Sequence, residues 1–336
     1  MTKLPTTTRE IHLASRPDGW PTPENFRLAE VDVPELKDGQ ILVTNHQMSV
    51  DPYMRGRMND SKSYTSSFQI DQPLEGAVVG EVIASRSDEV AMDATVLHHL
   101  GWREHAVVEA SSVKHVDPTL ASESAYLGAL GMTGLTAYAG LIYAGQFTEG
   151  DSVFVSGAAG AVGSIVGQIA KASGASRVIG SAGTPEKVER LKELGFDVAF
   201  NYNDAPVDEQ LGKSAPEGID VYFDNVGGDH LEAAITALNI HGRVAMCGAI
   251  SQYNATEPTC APRNLSLAIG KLLNIRGFLV GEFSDKSEEF AHKMGGWLSD
   301  GSVTFDETFR KGLENAPQAF IDLMRGANTG KMVVTL

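Results

Sequence analysis

Val153-Phe154-Val155-Ser156-Gly157-Ala158-Ala159-Gly160-Ala161-Val162-Gly163 decides the fold. An apolar strand runs into a turn of small residues and then into a helix. Glycine permits a tight turn and lets backbone N–H groups approach a diphosphate at a helix N-terminus. The full G-x-G-x-x-G pattern needs glycine at 158. Ala158 stands there, leaving A-x-G-x-x-G with Gly157 one residue early. Such a variant also suits plain helix–sheet packing, so its context decides.

That context is a run of alternating strands and helices. Strands are expected at Ser152–Val155, Arg177–Ser181, Val198–Tyr202, Asp220–Phe223, Arg243–Cys247 and Arg276–Val280. Helical patterns lie between them, at Val162–Ala172, Pro185–Leu194 and His230–Leu238. This spacing is that of βαβ units, which build a parallel sheet with helices on both faces. Upstream, the first 120 or so residues read as short strands (Ile41-Leu42-Val43, Val78 to Ile83, His105 to Val108) between Pro- and Gly-rich joints. A helix near Ala316–Met324 and a strand at Met332–Thr335 are expected to return to that β-rich part. The fold class is therefore α/β, with the nucleotide-type domain inserted in a β-rich one. A chain of 336 residues agrees with two domains at roughly 100–200 residues each.

Composition excludes several classes. The chain has 27 Lys and Arg against 43 Asp and Glu, a formal charge of −16. That balance repels nucleic-acid backbones and anionic membrane surfaces. Two cysteines cannot form a disulfide framework or a four-thiolate zinc lobe. The polar Met1 to Glu10 segment lacks the apolar core of a signal peptide, which predicts a soluble, cytoplasmic protein. Ser124–Thr148 and Ser152–Ala170 carry no formal charge and are long enough to span a bilayer. Their glycines, and the strand-like start of the second, favour buried elements beside a parallel sheet.

The second strand discriminates between dinucleotides. An NAD site places Asp or Glu about 20 residues past the turn, on the ribose hydroxyls. Here the strand ends Val178-Ile179-Gly180-Ser181-Ala182-Gly183 without an acid. Thr184 suits an N-cap and Pro185 the first helical position. Lys187 opposes the helix dipole unless an anion sits nearby. A 2′-phosphate would remove that conflict, so NADP(H) is favoured over NAD. A solvated surface lysine is the plain alternative.

With those segments in place, the chain resembles the zinc-independent medium-chain dehydrogenase/reductase superfamily. Within it, it is similar to the alkenal/one oxidoreductase, prostaglandin reductase and curcumin-reductase-like branch. The resemblance rests on Val50-Asp51-Pro52-Tyr53-Met54-Arg55-Gly56-Arg57-Met58, Gly131-Met132-Thr133-Gly134-Leu135-Thr136-Ala137-Tyr138, Ala158 to Gly163, Phe223-Asp224-Asn225-Val226-Gly227-Gly228, Cys247-Gly248-Ala249-Ile250-Ser251-Gln252-Tyr253-Asn254, and Gly312 to Pro317. It implies a GroES-like catalytic domain over 1–125 with 302–336, a Rossmann NADP-binding domain over 126–301, and a homodimer. Zinc-dependent relatives carry a G-H-E-x-x-G-x-V segment. Here Glu75-Gly76-Ala77-Val78-Val79-Gly80-Glu81-Val82 puts Gly76 at the histidine, and 50–58 has no cysteine. No metal is expected. His98-His99 is the one tempting pair, but neighbours on an extended chain face opposite ways.

Residue by residue, the resemblance implies the following. The diphosphate lies on Gly160, Ala161, Val162 and Gly163, and Lys187 and Tyr202 hold the 2′-phosphate. Asn225, the loop Cys247, Gly248, Ala249, Ile250 to Tyr253, the strand Phe278-Leu279-Val280, and Asn328 of the returning tail contact the cofactor. Read from the residues alone, Asn225 also fits a turn with Gly227-Gly228, and Tyr202 a strand end. Tyr53 and Arg55 line the substrate side, while Asp51-Pro52 suits turn formation. Without a metal, the fitting chemistry is reduction of the C=C bond of a small-molecule α,β-unsaturated aldehyde or ketone. Hydride goes to the β-carbon and hydrogen bonds hold the enolate charge. Tyr253 is the candidate donor, with an aromatic pocket wall as its alternative role. A quinone oxidoreductase of the same superfamily and a non-enzymatic NADPH-binding protein are the competing readings. The stretch between Val82 and Trp102 departs from the family pattern, so the shape of 84–100 is left open.

Overall fold

The computed structural model describes residues 4–336, so Met1–Lys3 of the polar N-terminal segment lie outside the described residues. The chain divides into two compact units, 1–128 with 307–336, and 129–306.

The first unit carries β1 (Thr7–Leu13), β2 (Phe26–Asp32), β3 (Gln40–Ser49), a short α1 (Met54–Arg57), β4 (Val78–Ser85), β5 (Thr95–His98), β6 (His105–Glu109) and β7 (Lys114–His115). The second carries α2 (Met132–Ala139), β8 (Ser152–Val155), α3 (Gly163–Ala172), β9 (Arg177–Ala182), α4 (Pro185–Glu193), β10 (Val198–Asn201), α5 (Val207–Ser214), β11 (Ile219–Asp224), α6 (Gly228–Ala237), β12 (Leu238–Met246), α7 (Leu267–Lys271), β13 (Asn274–Gly277) and α8 (Ser287–Asp300). The chain then returns to the first unit as β14 (Glu307–Lys311), α9 (Ala316–Met324) and β15 (Lys331–Thr335).

The first unit is built on a sheet of order β14-β15-β3-β4-β5-β7, with β6 also pairing β3. β15 runs antiparallel to β3, Val333 opposite Ser49, so the C-terminal strand completes a sheet begun 280-odd residues earlier. The 84–100 stretch holds the end of β4, a link over 86–94 and all of β5. Val90 is buried with Ile41, Val43, Val82 and Val96, and Ser85 Oγ donates to Val90 O at 2.8 Å.

The second unit holds a six-stranded sheet of order β10-β9-β8-β11-β12-β13, parallel throughout. Strands covered on both faces read as unbroken apolar runs, because each face needs its own hydrophobic residues. Strand alternation then sorts them. Val153 and Val155 pack with Val178, Val221 and Phe223 on one face, against Ile165, Val166 and Ile169 of α3. Phe154, Ile179 and Tyr222 take the other face, against Leu211 of α5 and Leu231 and Ile235 of α6. Progress from β8 through β9 to β10 goes one way, and from β11 through β12 to β13 the other. The switch point therefore lies at the carboxyl ends of β8 and β11, where such sheets bind ligands.

Both uncharged stretches become interior elements. Ser124–Thr148 supplies α2 and a wide turn over Gly140–Ala144, and Ser152–Ala170 supplies β8 and most of α3. Among the described residues no helix is long and apolar enough to cross a membrane. One expected strand is corrected. Phe278-Leu279-Val280 does not extend β13, which ends at Gly277, and a helical turn begins at Val280. Phe278 buries its ring against Phe223 and Phe283, which draws the backbone off the sheet edge.

Candidate active site

Gly157 leaves β8 with a φ of +58°, a conformation glycine reaches at little cost. Gly160 N–H donates to Gly157 O at 3.1 Å, closing the turn, and Ser164 N–H donates to Gly160 O at 3.1 Å as α3 starts. Ala158, the departure from the full glycine pattern, packs against Gly180 together with the Phe196 ring. A Cβ at Gly180 of β9 would lie 2.8 Å from Phe196 Cδ1 and 3.0 Å from the Ala158 methyl, so glycine there leaves room for both. The N-cap of α3 is Val162, which offers no side-chain acceptor to the first-turn amides. Small residues leading to an uncapped helix start make a cradle that suits a diphosphate.

The switch point is fastened by a residue whose role sequence reasoning missed. Asp224, fully buried at the end of β11, receives Tyr222 Oη at 2.7 Å and the N–H groups of Val226 and Gly227 at 2.9 and 2.7 Å, all on Oδ1. Ser156 Oγ donates to the same oxygen at 3.2 Å and accepts Asn225 N–H at 3.0 Å. The Asp224 carbonyl takes Cys247 N–H at 2.9 Å and Gly248 N–H at 3.0 Å. One residue thus ties together the ends of β8, β11 and β12. Burial raises its carboxyl above the usual range, while the donors pull the other way. Burial, helped by Asp224, pushes the Cys247 thiol up to about 12, so it stays protonated at neutral pH. The available signal was an acid ending the apolar run Val221-Tyr222-Phe223.

Asn225 and the loop after β12 follow from that tie. Asn225 Nδ2 donates to Ser156 O at 2.8 Å, and Asn225 O accepts Ile250 N–H at 3.2 Å. Ser251 N–H and Oγ both reach Val226 O. The Tyr253 ring folds back over its own loop. Its Oη accepts Ala249 N–H at 3.3 Å, and a Cβ at Gly248 would lie 3.1 Å from it. Gly160 to Gly163, Asn225 and Cys247 to Tyr253 are therefore gathered at the carboxyl ends of neighbouring strands. Phe278 packs beside them on Phe223, while Leu279 is exposed and Val280 half-buried.

Beside this lies the end of β9. Thr184 caps α4, its Oγ1 accepting Lys187 N–H at 3.3 Å, with Pro185 in the first turn. Lys187 is half-buried, and burial lowers its ammonium below the usual range. Tyr202 follows β10, and a Cβ at Gly183 would lie 2.5 Å from its Oη. A half-buried lysine and a phenol flank a strand end without a carboxylate. That set fits a dinucleotide bearing a 2′-phosphate, and offers an NAD ribose no acid.

The remaining candidates belong to the first unit. Tyr53 is the N-cap of α1, and burial pushes its phenol up. Arg55 is buried, donating to Gly19 O at 2.8 Å and Asn59 Oδ1 at 2.7 Å. Asn328 Nδ2 donates to Gly330 O at 2.7 Å within its own turn. The residues do not fit a catalytic zinc. Gly76 has no side chain to ligate a metal, and Met54 Cε occupies the space beside it, 2.5 Å from where a Cβ would stand. His98 uses both ring nitrogens, accepting Leu100 N–H on Nδ1 at 3.1 Å and pairing Nε2 with Asn45 Oδ1 at 2.9 Å. Burial holds it down to about 3, hence neutral. Among the described residues no group of three or more His, Cys, Asp or Glu is placed to hold a metal ion.

Two family profiles match the chain. One, described as "N-terminal domain of oxidoreductase", covers residues 9–116, and one, described as "Zinc-binding dehydrogenase", covers residues 161–296. The chain is 47% identical over 330 residues to YfmJ of Bacillus subtilis (strain 168), covering 97% of each. It is 40% identical over 328 residues to the NADPH-dependent curcumin reductase of Escherichia coli (strain K12), covering 96% of this chain and 95% of the relative. The crystal structure of CurA from Vibrio vulnificus in complex with NADPH matches with a TM-score of 0.92 and 42% identity, over 97% of this chain and 98% of that one.

Proposed function

The chain belongs to the zinc-independent branch of the medium-chain dehydrogenase/reductase family, and from that premise we propose that it is an NADPH-dependent reductase of the conjugated C=C bond in α,β-unsaturated aldehydes and ketones. One observation carries the cofactor: a diphosphate-type turn at the switch point beside a second strand that ends Ser181-Ala182, with no carboxylate; the C=C chemistry is supported by the likeness to the NADPH-dependent curcumin reductase. NADPH, when bound, supplies the hydride that adds to the β-carbon. The chain supplies position and charge stabilisation. Gly160 to Gly163 receive the diphosphate, and Lys187 and Tyr202 the 2′-phosphate. Asn225 and the Cys247–Tyr253 loop, held by Asp224, position the nicotinamide end, with Phe278, Leu279 and Val280 beside it.

Negative charge gathers on the carbonyl oxygen as the alkene is reduced, and a donor aimed at that oxygen lowers the barrier. Tyr253 Oη is the donor assigned here. It accepts an N–H from Ala249, which polarises its own O–H. A phenol can also release a proton, which the α-carbon must take up. Tyr53, Arg55 and Asn328 keep, within this proposal, the substrate- and cofactor-binding roles that the resemblance implies. A cytoplasmic homodimer acting on a small-molecule enal or enone belongs to the same reading.

The deciding experiment follows NADPH absorbance against a panel of enals, enones, quinones and alcohols, with and without chelator. Oxidation with enals and enones, indifferent to chelator, is expected; turnover of quinones alone would overturn the reading. Two substitutions test the assignments. Tyr253→Phe should lower enone kcat at least about tenfold, the size of a lost oxyanion donor; an undiminished kcat reduces Tyr253 to a pocket wall. Lys187→Ala should cut the preference for NADPH over NADH by about tenfold, since it removes a charge-assisted contact. An unchanged ratio would return Lys187 to the surface.

A further inference from the structure

Tyr202 is held from two sides. On one, its Oη lies over Gly183, where no Cβ would fit, and Asn203 Nδ2 donates to Gly183 O at 2.8 Å to keep that turn closed. On the other, the ring of His230, from the first turn of α6, makes a T-shaped pair with it, with centroids 5.4 Å apart and planes at 81°. His230 is only 6% exposed, and its Nε2 has no hydrogen-bond partner. Burial pushes the imidazole down to about 4, against the opposing pull of Asp229, so the ring is neutral at pH 7. A neutral ring with an orphaned nitrogen brings its neighbour no charge from that side. What it supplies is an aromatic partner in a T-shaped pair, and such pairs favour one ring orientation over others.

Tyr202 itself is 40% exposed. A half-exposed tyrosine without such a support would sample several rotamers and lose them on binding an anion. Resting on the NADPH reading above, we propose that His230 is a positioning residue that fixes the Tyr202 phenol and so sets the preference for ligands carrying a 2′-phosphate. The ordering is done in the folded protein before the ligand arrives, which is how preorganisation raises affinity. The effect is selective, because Tyr202 is assigned to the 2′-phosphate alone.

The test needs no turnover. The full chain is titrated calorimetrically with 2′,5′-ADP and with 5′-AMP, as the wild type, as His230→Leu, which fills the volume without an aromatic ring, and as His230→Phe, which restores the ring. His230→Leu should reduce the preference for 2′,5′-ADP over 5′-AMP by about tenfold, a scale typical of lost preorganisation at one contact. His230→Phe should keep the wild-type preference and melt no lower than wild type, since it removes a buried nitrogen that bonds nothing. A preference retained by His230→Leu, or lost equally by His230→Phe, overturns the inference. Parallel weakening of both ligands in His230→Leu also overturns it, because it assigns the ring to structure alone. A wild type that shows no preference overturns the NADPH reading and this inference with it, so the two failures are distinguishable.

Discussion

Gly163→Ala is expected to weaken NADPH binding about a hundredfold, the scale of a misplacement near 1 Å in a positioning element. A Cβ at this position would lie 2.5 Å from Gly157 O and 2.8 Å from Ala158 Cα. Both are main-chain atoms of the turn, so no rotamer change relieves the clash. The turn must move, and with it the amides proposed to receive the diphosphate. Stability should also fall, by about 1–3 kcal/mol, the usual cost of overpacking. Gly212→Ala is the control. It lies in α5 with open space around its would-be Cβ, so alanine should stabilise the helix by roughly 0.5–1 kcal/mol and leave binding unchanged. Equal NADPH affinity in Gly163→Ala and wild type would remove this turn from the cofactor site.

The same turn marks how far the sequence carries. β8 and α3 are legible because local chemistry dictates them: an apolar run buried on both faces, then residues too small to resist a turn. β9, β10 and β11 follow from the same alternation, and their observed spans lie within a residue or two of the expected ones. What is not legible depends on residues far apart in the chain. Ala158 reads as a defect in the glycine pattern until Gly180, on the next strand, is seen to leave space for its methyl. Asp224 reads as one letter of a family segment, since its donors come from three separate strand ends. Phe278-Leu279-Val280 has strand-like residues, yet β13 ends at Gly277 and Phe278 packs its ring on Phe223 and Phe283, contacts far away in the chain or beyond the strand. The Asp51-Pro52 pair reads as turn chemistry, and nothing nearby in sequence says that the carboxylate has a cation waiting.

That cation is Lys331, and removing it should produce a large loss of stability. Lys331 Nζ pairs with Asp51 Oδ1, with side-chain exposures of 4% for each partner. Val50 O lies 3.4 Å from the same ammonium, and Ser49 Oγ donates to the other Asp51 oxygen. The partners are 280 residues apart, one at the start of β15, the other just beyond the end of β3. A surface pair would contribute about 0–1 kcal/mol. A buried pair behaves differently, because deleting one partner strands the other's charge away from water, at roughly 3–5 kcal/mol. Lys331→Met keeps the length and apolar stem of the side chain, so its cost reports the stranded carboxylate and not a cavity. Urea unfolding of Lys331→Met should reveal that loss, and Asp51→Asn added to it should recover a large part, because the stranded charge is then gone. A single-variant loss no greater than that of a surface pair would overturn the assignment. Under the proposed function, in which Tyr53 lines the substrate side, the loss also affects substrate binding, since Asp51 precedes the turn that carries Tyr53 into α1. The single variant should therefore raise the KM for the enone even where enough folded protein survives to assay, and the double variant should raise it less.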